Sequence, residues 1–538
     1  MKRLLLVQPR DTYSTGDLSF VSHITKRSHM MVVHLPTVAA LTPDGFDITI
    51  VDENLEPVPY DTRFDLVGIT GFHNHIDQAR VIATRFGQMG IPVVCGGPSV
   101  TQSPERWEDF SDVLIMGEAE NVWPQFCRDF QKGAYRNKYQ EHGVISLANG
   151  VTPAYHLLSP AAKARYYGGV VLTGRGCPHK CEFCSSVEFS GRRIRHVPIH
   201  DVVAQVQTLA DSLASLILLG ADNFSADPKH AKALLRALGE WNRAQKRPVS
   251  FYTELSLNTA DDEEFLKLAA EAGLTRVLVG IESLDADCLA DVGKRSNIGR
   301  NMEADLRKFA EYGILVSTSV IVGLDRDDVT VFERMRDFFV HTGVGHAAVW
   351  PLHAPDGAPI KERMVKEGRY VDWACPVKDE GRANYWNSTT VIPKNMTVEM
   401  QQQGLYWLLW QLADPVAVCE RLQNFLEMYE RAPVKNTLHI PGGFTDMGSL
   451  HVARRFFWYL LFKAPSRTRK AFFRLMKTVR RSSHPQRMAI TVGAFIQIMN
   501  HRISVERSFP ATEKHPNVQS LTPPHVSADS PLPQRTAT

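Results

Sequence analysis

No stretch of this chain holds the ~18 to 20 uninterrupted apolar residues that a membrane-spanning helix requires. Cysteine is also scarce, with eight in 538 residues. Five of them, Cys95, Cys127, Cys288, Cys375 and Cys419, are scattered. That pattern excludes a dense secreted disulfide framework and suits a reducing, cytoplasmic setting. Charge of one sign is missing as well: a formal net charge of +3 is too small to draw the whole molecule to nucleic acid, and no specific nucleic-acid partner is expected. The N-terminal run Leu4-Leu5-Leu6-Val7 is too short for a secretory signal and ends in Gln8-Pro9, so it reads as a first buried strand.

What is present is ordinary globular composition, 44% hydrophobic and 22% charged, in a chain long enough for about three to four structural units. Leu4–Val7, Asp47–Val51, Leu66–Ile69, Pro92–Cys95 and Val113–Met116 are five strand candidates. Helix-length segments such as Ile76–Met89 separate them, the pattern of a doubly wound parallel α/β sheet. Ligands on such sheets bind beyond the strand C-termini, which here are Gln8-Pro9, Thr70-Gly71-Phe72, Gly96-Gly97-Pro98-Ser99 and Gly117-Glu118-Ala119-Glu120. Glycines there let a backbone approach a ligand closely, or simply serve the turns.

A second strand–helix series follows a stretch with few signals from Asp129 to Ser159. Its strands are expected at Val170–Thr173, Leu216–Leu219, Val249–Thr253, Arg276–Ile281, Leu315–Val322 and His346–Pro351. Six strands at this cadence fit a partial (β/α) barrel with its chemistry at the strand C-terminal ends. The first of those ends runs into Gly174-Arg175-Gly176-Cys177-Pro178-His179-Lys180-Cys181-Glu182-Phe183-Cys184. Three thiolates at C-x3-C-x2-C spacing favour iron: on a four-iron cube they leave one iron free for a non-protein ligand. A structural zinc site would need His179 or His196 as its fourth ligand, with no second cysteine pair downstream. A redox dithiol is the other alternative.

This loop resembles the signature of the radical S-adenosylmethionine (SAM) enzymes. The resemblance implies that Cys177, Cys181 and Cys184 hold a 4Fe-4S cluster whose open iron chelates SAM, with reduced flavodoxin or ferredoxin as electron donor. It also implies SAM contacts from Asp222 and Asn223 after the second barrel strand, Glu254 after the third, Gly280 and Glu282 after the fourth, and Gly323 after the fifth. Taken singly, each of these could equally be a rim salt bridge or a helix cap. Val94-Cys95-Gly96-Gly97-Pro98-Ser99-Val100-Thr101 with Met116-Gly117-Glu118-Ala119-Glu120 resembles the cobalamin-binding domain that precedes many radical SAM domains. The cobalamin contacts it implies are Thr70, Gly71, Gly96, Gly97, Gly117 and Glu118. The Asp-x-His-x-x-Gly motif that gives cobalt a histidine in methionine synthase is absent. His23, His29, His34, His73 and His75 are the N-terminal histidines to consider, each first of all as a surface or core residue.

Ala221-Asp222-Asn223-Phe224, Thr253-Glu254-Leu255-Ser256-Leu257-Asn258 and Val279-Gly280-Ile281-Glu282-Ser283 resemble the subgroup containing hopanoid methylases. The implied reaction is cobalamin-dependent radical methylation of an unactivated carbon on a small or lipid-like molecule. The alternatives are a cyclase or oxidoreductase using both cofactors without methyl transfer, as in the anaerobic porphyrin-ester cyclase, and a non-catalytic cobalamin or zinc module. The expected organisation is a cobalamin-binding Rossmann-like domain at 1–140, a linker at 141–165, the radical SAM partial barrel at 166–395, a helical basic region at 396–505 and a disordered tail at 506–538. From His451 to Ile503 there is no Asp or Glu, while Arg and Lys interleave with Phe, Trp and Leu. Basic amphipathic helices of this kind suit peripheral contact with a membrane surface through 451–502, a solvated basic face packed on the barrel, or a weak nucleic-acid patch.

Overall fold

Short apolar runs flanked by glycine and proline become strands here, and the longer amphipathic segments between them become crossover helices. The computed structural model describes residues 1–11, 29–148, 150–212, 216–372, 389–432, 447–484, 487–488 and 490–496. The strands of the first part are β1 (Lys2–Gln8), β2 (His29–Met30), β3 (Phe46–Asp52), β4 (Leu66–Thr70), β5 (Val93–Gly96), β6 (Val113–Met116) and β7 (Lys138–Gln140). Those of the second are β8 (Tyr166–Leu172), β9 (Gly174–Arg175), β10 (Arg195–His196), β11 (Leu216–Gly220), β12 (Ser250–Leu255), β13 (Leu274–Glu282), β14 (Leu315–Val322) and β15 (His346–Pro351).

One sheet runs β3-β1-β4-β5-β6-β7 with every pair parallel. Its order reverses between β1 and β4, so the crevice of a doubly wound sheet opens beyond Gln8 and Thr70. The other runs β15-β14-β13-β12-β11-β8 in parallel, and the two-residue β2 adds to its β8 edge. The α/β expectation holds in both parts. Two details were not anticipated. β7 extends the first sheet to Gln140, and β2 carries the N-terminal section onto the edge of the second sheet.

The middle of the second sheet alternates. On β11 to β14, residues such as Ile217, Leu219, Val277, Val279 and Val320 are buried under the crossover helices. Their neighbours Leu218, Tyr252, Leu278, Ser317 and Ser319 are less covered. A closed barrel would bury both sets, whereas this curled half-barrel leaves its inner face lining a hollow. Local chemistry starts and stops the helices: the Asp262 carboxylate accepts from Phe265 N, and Gly273 at φ +95° ends that helix.

The segment expected as a linker packs against its neighbours. Tyr155 is buried and its hydroxyl donates to Val170 O at 2.7 Å, Ser159 Oγ donates to Glu56 at 2.8 Å, and Arg165 reaches Leu55 O at 2.6 Å. Beyond the half-barrel the helices Val398–Leu412, Pro415–Glu430, Met447–Phe462 and Ser466–Arg481 form the helical region. The expected tail at 506–538 lies outside the described residues. No helix among the described residues is long and apolar enough to cross a membrane.

His484 fastens this helical region to the barrel. It is buried against the Phe425 and Tyr429 rings and hydrogen-bonds Gly313 O at 3.1 Å. Burial pushes its imidazole down to about 4. A histidine depressed in the fold contributes stability that is present above its unfolded value near 6.5 and lost as pH falls towards 4, here about 3 kcal/mol. Acidification across that window should therefore raise hydrogen exchange in Pro415–Glu430 and Ser466–Arg481 before the half-barrel strands open. The His484→Gln variant should show a flatter pH dependence.

Candidate active site

The three-cysteine loop leaves the half-barrel between β9 and the short helix Ser186–Ser190. Gly176 has φ +95°, and a Cβ there would meet Arg193 O at 2.2 Å, so only glycine lets the chain turn under β10. The turn is pinned by Gly176 N donating to Asp222 Oδ2 at 2.6 Å, Cys177 N to Gly191 O at 3.2 Å and Glu182 N to Val292 O at 2.9 Å. The Glu182 carboxylate accepts both Nε and Nη2 of Arg363, at 2.6 and 2.9 Å.

Cys177, Cys181 and Cys184 are free and partly exposed. Burial pushes the Cys177 and Cys181 thiols up, Cys181 to about 11, and the nearby Cys184 adds to both shifts. The three sulfurs are therefore neighbours. Among the described residues, however, no three Cys, His, Asp or Glu side chains are gathered closely enough to hold one metal ion. Three free thiols on one short loop match in kind and number the protein ligands of a 4Fe-4S cluster with one open iron. His196, one candidate for a fourth zinc ligand, is engaged elsewhere: Nε2 contacts Asp227 at 3.0 Å and its ring stacks on His230 at 3.6 Å.

The neighbouring strand ends converge on this loop. Asp222 supports the Gly176 amide, and Asn223 Nδ2 donates to Ser256 Oγ at 2.8 Å. Glu254 is open to solvent yet surrounded by protein, as expected of a group in the hollow. That enclosure, together with the charge of Asp222, pushes its carboxyl above the ordinary range. Deeper in the hollow Tyr252 and Arg276 lie opposite one another on β12 and β13, and burial lowers the Arg276 guanidinium.

Glu282 is the only non-glycine with positive φ among the described residues, at +65°, beside a register shift on β13. It folds back over Gly280, where a Cβ would lie 2.2 Å from its Oε1, and pairs with Lys294 Nζ at 3.1 Å. Lys294 in turn lies close enough to Cys181 to oppose the rise of its thiol. Sequence reasoning missed Lys294, which sits twelve residues beyond Glu282 with no local signal. Gly323, at φ +94°, gives its side-chain space to Gln401 rather than to the hollow.

On the first sheet, Thr70, Gly71, Gly96 and Gly97 form one continuous shelf. Gly71 N donates to Gly96 O at 3.3 Å, and a Cβ on Gly97 would meet Thr70 Oγ1 at 2.9 Å. These glycines let two loops touch. Gly117 joins the shelf through its N–H to Thr101 Oγ1 at 2.9 Å. Phe72 projects from it with 52% of its surface exposed, an apolar face suited to a flat macrocycle. In the crevice below, Gln8 contacts His34 at 2.6 Å and His75 at 3.1 Å. His75 Nδ1 accepts from Phe72 N, and His73 contacts Ser99 Oγ at 3.1 Å. His23 and the side chain of His29 lie outside the described residues.

Glu118 does not stand open on this shelf. Its two oxygens accept Arg175 Nη1 and Arg195 Nη1, each at 2.6 Å, while Arg175 also reaches Glu120 at 2.7 Å. Arg175 lies two residues before Cys177. The pair therefore joins the end of β6 to the cysteine loop. A second junction joins the loops after β4 and β5 to the loop after β15, where buried Asp356 meets Ser103, Lys361 and Arg106, the last at 3.5 Å. Gln102 Nε2 also donates to Ser185 O at 3.2 Å. The carboxyl ends of the two sheets thus face each other across one space.

Residues 171–339 match the model of the Radical SAM superfamily, and residues 358–510 match a domain of unknown function (DUF4070). The chain is 28% identical to the hopanoid C-2 methylase of Rhodopseudomonas palustris over 408 residues, covering 74% of this chain and 75% of that one. It is 27% identical to the bacteriochlorophyllide d C-12(1)-methyltransferase of Chlorobaculum tepidum over 380 residues, 69% and 80% of the two chains. The chain contains a radical SAM domain and is related to methylases. Two solved structures share its fold. The methyltransferase TsrM from Kitasatospora setae, with cobalamin and a [4Fe-4S] cluster bound, has a TM-score of 0.54 at 17% identity over 68% of this chain and 78% of that one. The cobalamin-dependent SAM radical enzyme OxsB, with aqua-cobalamin and SAM bound, has a TM-score of 0.58 at 12% identity over 94% and 80%.

Glu118→Ala would leave the buried Arg195 and the half-buried Arg175 without their shared carboxylate, a loss of about 3 to 5 kcal/mol. The variant should show faster proteolysis at the junction between the two sheets and weaker corrinoid retention, read from its visible spectrum. Glu118→Gln should lose less, because an amide still accepts from one arginine.

Proposed function

We propose that this protein uses a 4Fe-4S cluster, SAM and cobalamin to place a methyl group on an unactivated carbon of a polycyclic or lipid-like molecule. The observation that carries this reading is the opposition of the two sheets. The cysteine loop and the Gly-rich shelf face one another and are joined by Glu118, Arg175 and Arg195. Cys177, Cys181 and Cys184 would hold the cluster, and the shelf of Thr70, Gly71, Gly96, Gly97 and Gly117 would carry the corrinoid. When bound, these groups supply an electron, a hydrogen-abstracting radical and a methyl donor.

The chain's own residues bind, orient and exclude water. Glu254, its carboxyl raised by enclosure, is placed to accept a hydrogen bond from an ammonium or hydroxyl group in the hollow. Asp222 and Asn223 hold the cysteine loop over that hollow, and Lys294 holds Glu282 beside it. The substrate class follows the two relatives, one named for a hopanoid and the other for a bacteriochlorophyllide. Reduced flavodoxin or ferredoxin would supply the electron.

The test is anaerobic turnover with methyl-labelled SAM on hopanoid and chlorin substrates. Label should enter the product, and each of Cys177→Ala, Cys181→Ala and Cys184→Ala should abolish both the brown cluster absorbance and SAM cleavage. Substrate-dependent 5′-deoxyadenosine with product that carries no label would instead establish cyclisation or oxidation.

A further inference from the structure

Helices Met447–Phe462 and Ser466–Arg481 form a hairpin within the domain of unknown function, and their two faces differ sharply. Inward, Phe456, Leu460, Phe472 and Leu475 are buried. Outward, Trp458 is 49% exposed, Leu461 45%, Phe462 71% and Phe473 46%. Trp458, Leu461 and Phe462 fall at i, i+3 and i+4, one stripe of a helix. The Trp458 and Phe462 rings lie 5.8 Å apart, and the Lys463 ammonium sits 5.4 Å from the Trp458 ring. Surface aromatics grouped in this way mark a contact surface.

Exposed cations follow that stripe in the chain. Lys463, Arg467, Lys470, Arg474, Lys477 and Arg481 are all exposed. The chain from 451 to 503 has no carboxylate to offset them. Two acidic groups on the packed neighbours are already engaged: Asp414 pairs with Arg467 at 3.4 Å, and Glu430 accepts from Ser482 and Ser483.

We propose that this hairpin docks the protein on the surface of a bilayer containing anionic lipid. Each helix has 16 residues, about 24 Å, and is too basic to cross, so it would lie along the interface with the aromatic stripe in the acyl boundary and the cations at the headgroups. The two charge and apolar features must be satisfied together. A nucleic acid would neutralise the cations but leave Leu461 and Phe462 in water. A second copy would cover the apolar stripe but bring like charges together. Only the lipid interface answers both. The inference is independent of which carbon is methylated.

The experiment is flotation of the full-length protein with vesicles of phosphatidylcholine alone and of an equimolar phosphatidylcholine–phosphatidylglycerol mixture. Binding should be confined to the anionic vesicles and weaken with salt. Trp458→Ser/Phe462→Ser should lower the partition coefficient about tenfold or more, and Lys470→Glu/Lys477→Glu should lower it by at least about fivefold per residue. Circular dichroism should stay unchanged, since all four side chains point away from the core. Absence of binding to anionic vesicles would overturn the proposal. So would full binding by the aromatic variant, displacement of the vesicles by duplex DNA at equal charge, or loss of the stripe's effect on dilution below a dimerisation threshold.

Discussion

A buried carboxylate bridging two guanidinium groups is the constraint on which this architecture rests. Glu118 ends β6 of one sheet; Arg175 opens the cysteine loop of the other; Arg195 sits on the antiparallel strand that backs that loop. Desolvating three charges is unfavourable, and the geometry offsets this only because every oxygen of Glu118 has a donor and Arg195 finds further acceptors in Ile145 O and Ser190 O. Such a group is intolerant of displacement. It therefore fixes where the shelf stands relative to the three thiols, which is what a reaction needing several bound groups in one space demands.

The half-barrel depends on that junction. Six strands do not close, so the inner face of β11 to β15 would otherwise be open to water along its whole mouth. The first sheet meets both lips, through Glu118 beside β8 and through Ser103 and Arg106 at Asp356 beyond β15. This roof is why Glu254 can be reachable by solvent and yet have its carboxyl raised by burial and by Asp222. The energetic conflict is local: an enclosed carboxylate near Asp222 is unfavourable alone and becomes favourable with a hydrogen-bond donor in the hollow.

Most of the scaffold was legible because it is written in short-range patterns. The strands at Leu315–Val322 and His346–Pro351 match their apolar runs residue for residue, and Cys177, Cys181 and Cys184 announce themselves by spacing. What was not legible depends on pairs distant in sequence. Glu118 read as a ligand contact on the shelf, yet its partners lie 57 and 77 residues away. Gly323 read as a SAM contact, yet the room beside it is taken by Gln401 from a helix far downstream. β2 is two residues long and has no pattern to detect, since its only distinction is the edge of β8 that it meets. Lys294 carries no motif, and only the back-folded Glu282 explains its position.

The helical region is more than a cover, because it is continuous with the rim of the site. Gln401 donates to Val322 O at the carboxyl end of β14, at 2.9 Å. Buried Arg421 binds Val344 O just before β15 and Leu412 O at the end of the preceding helix. The helix that carries Arg421 packs in one apolar core with Phe456, Phe472 and Leu475 of the hairpin. Each link is buried and hydrogen-bonded or close-packed, so the hairpin has little freedom to rotate against the half-barrel. Any surface that orients the hairpin consequently orients the half-barrel to which it is packed.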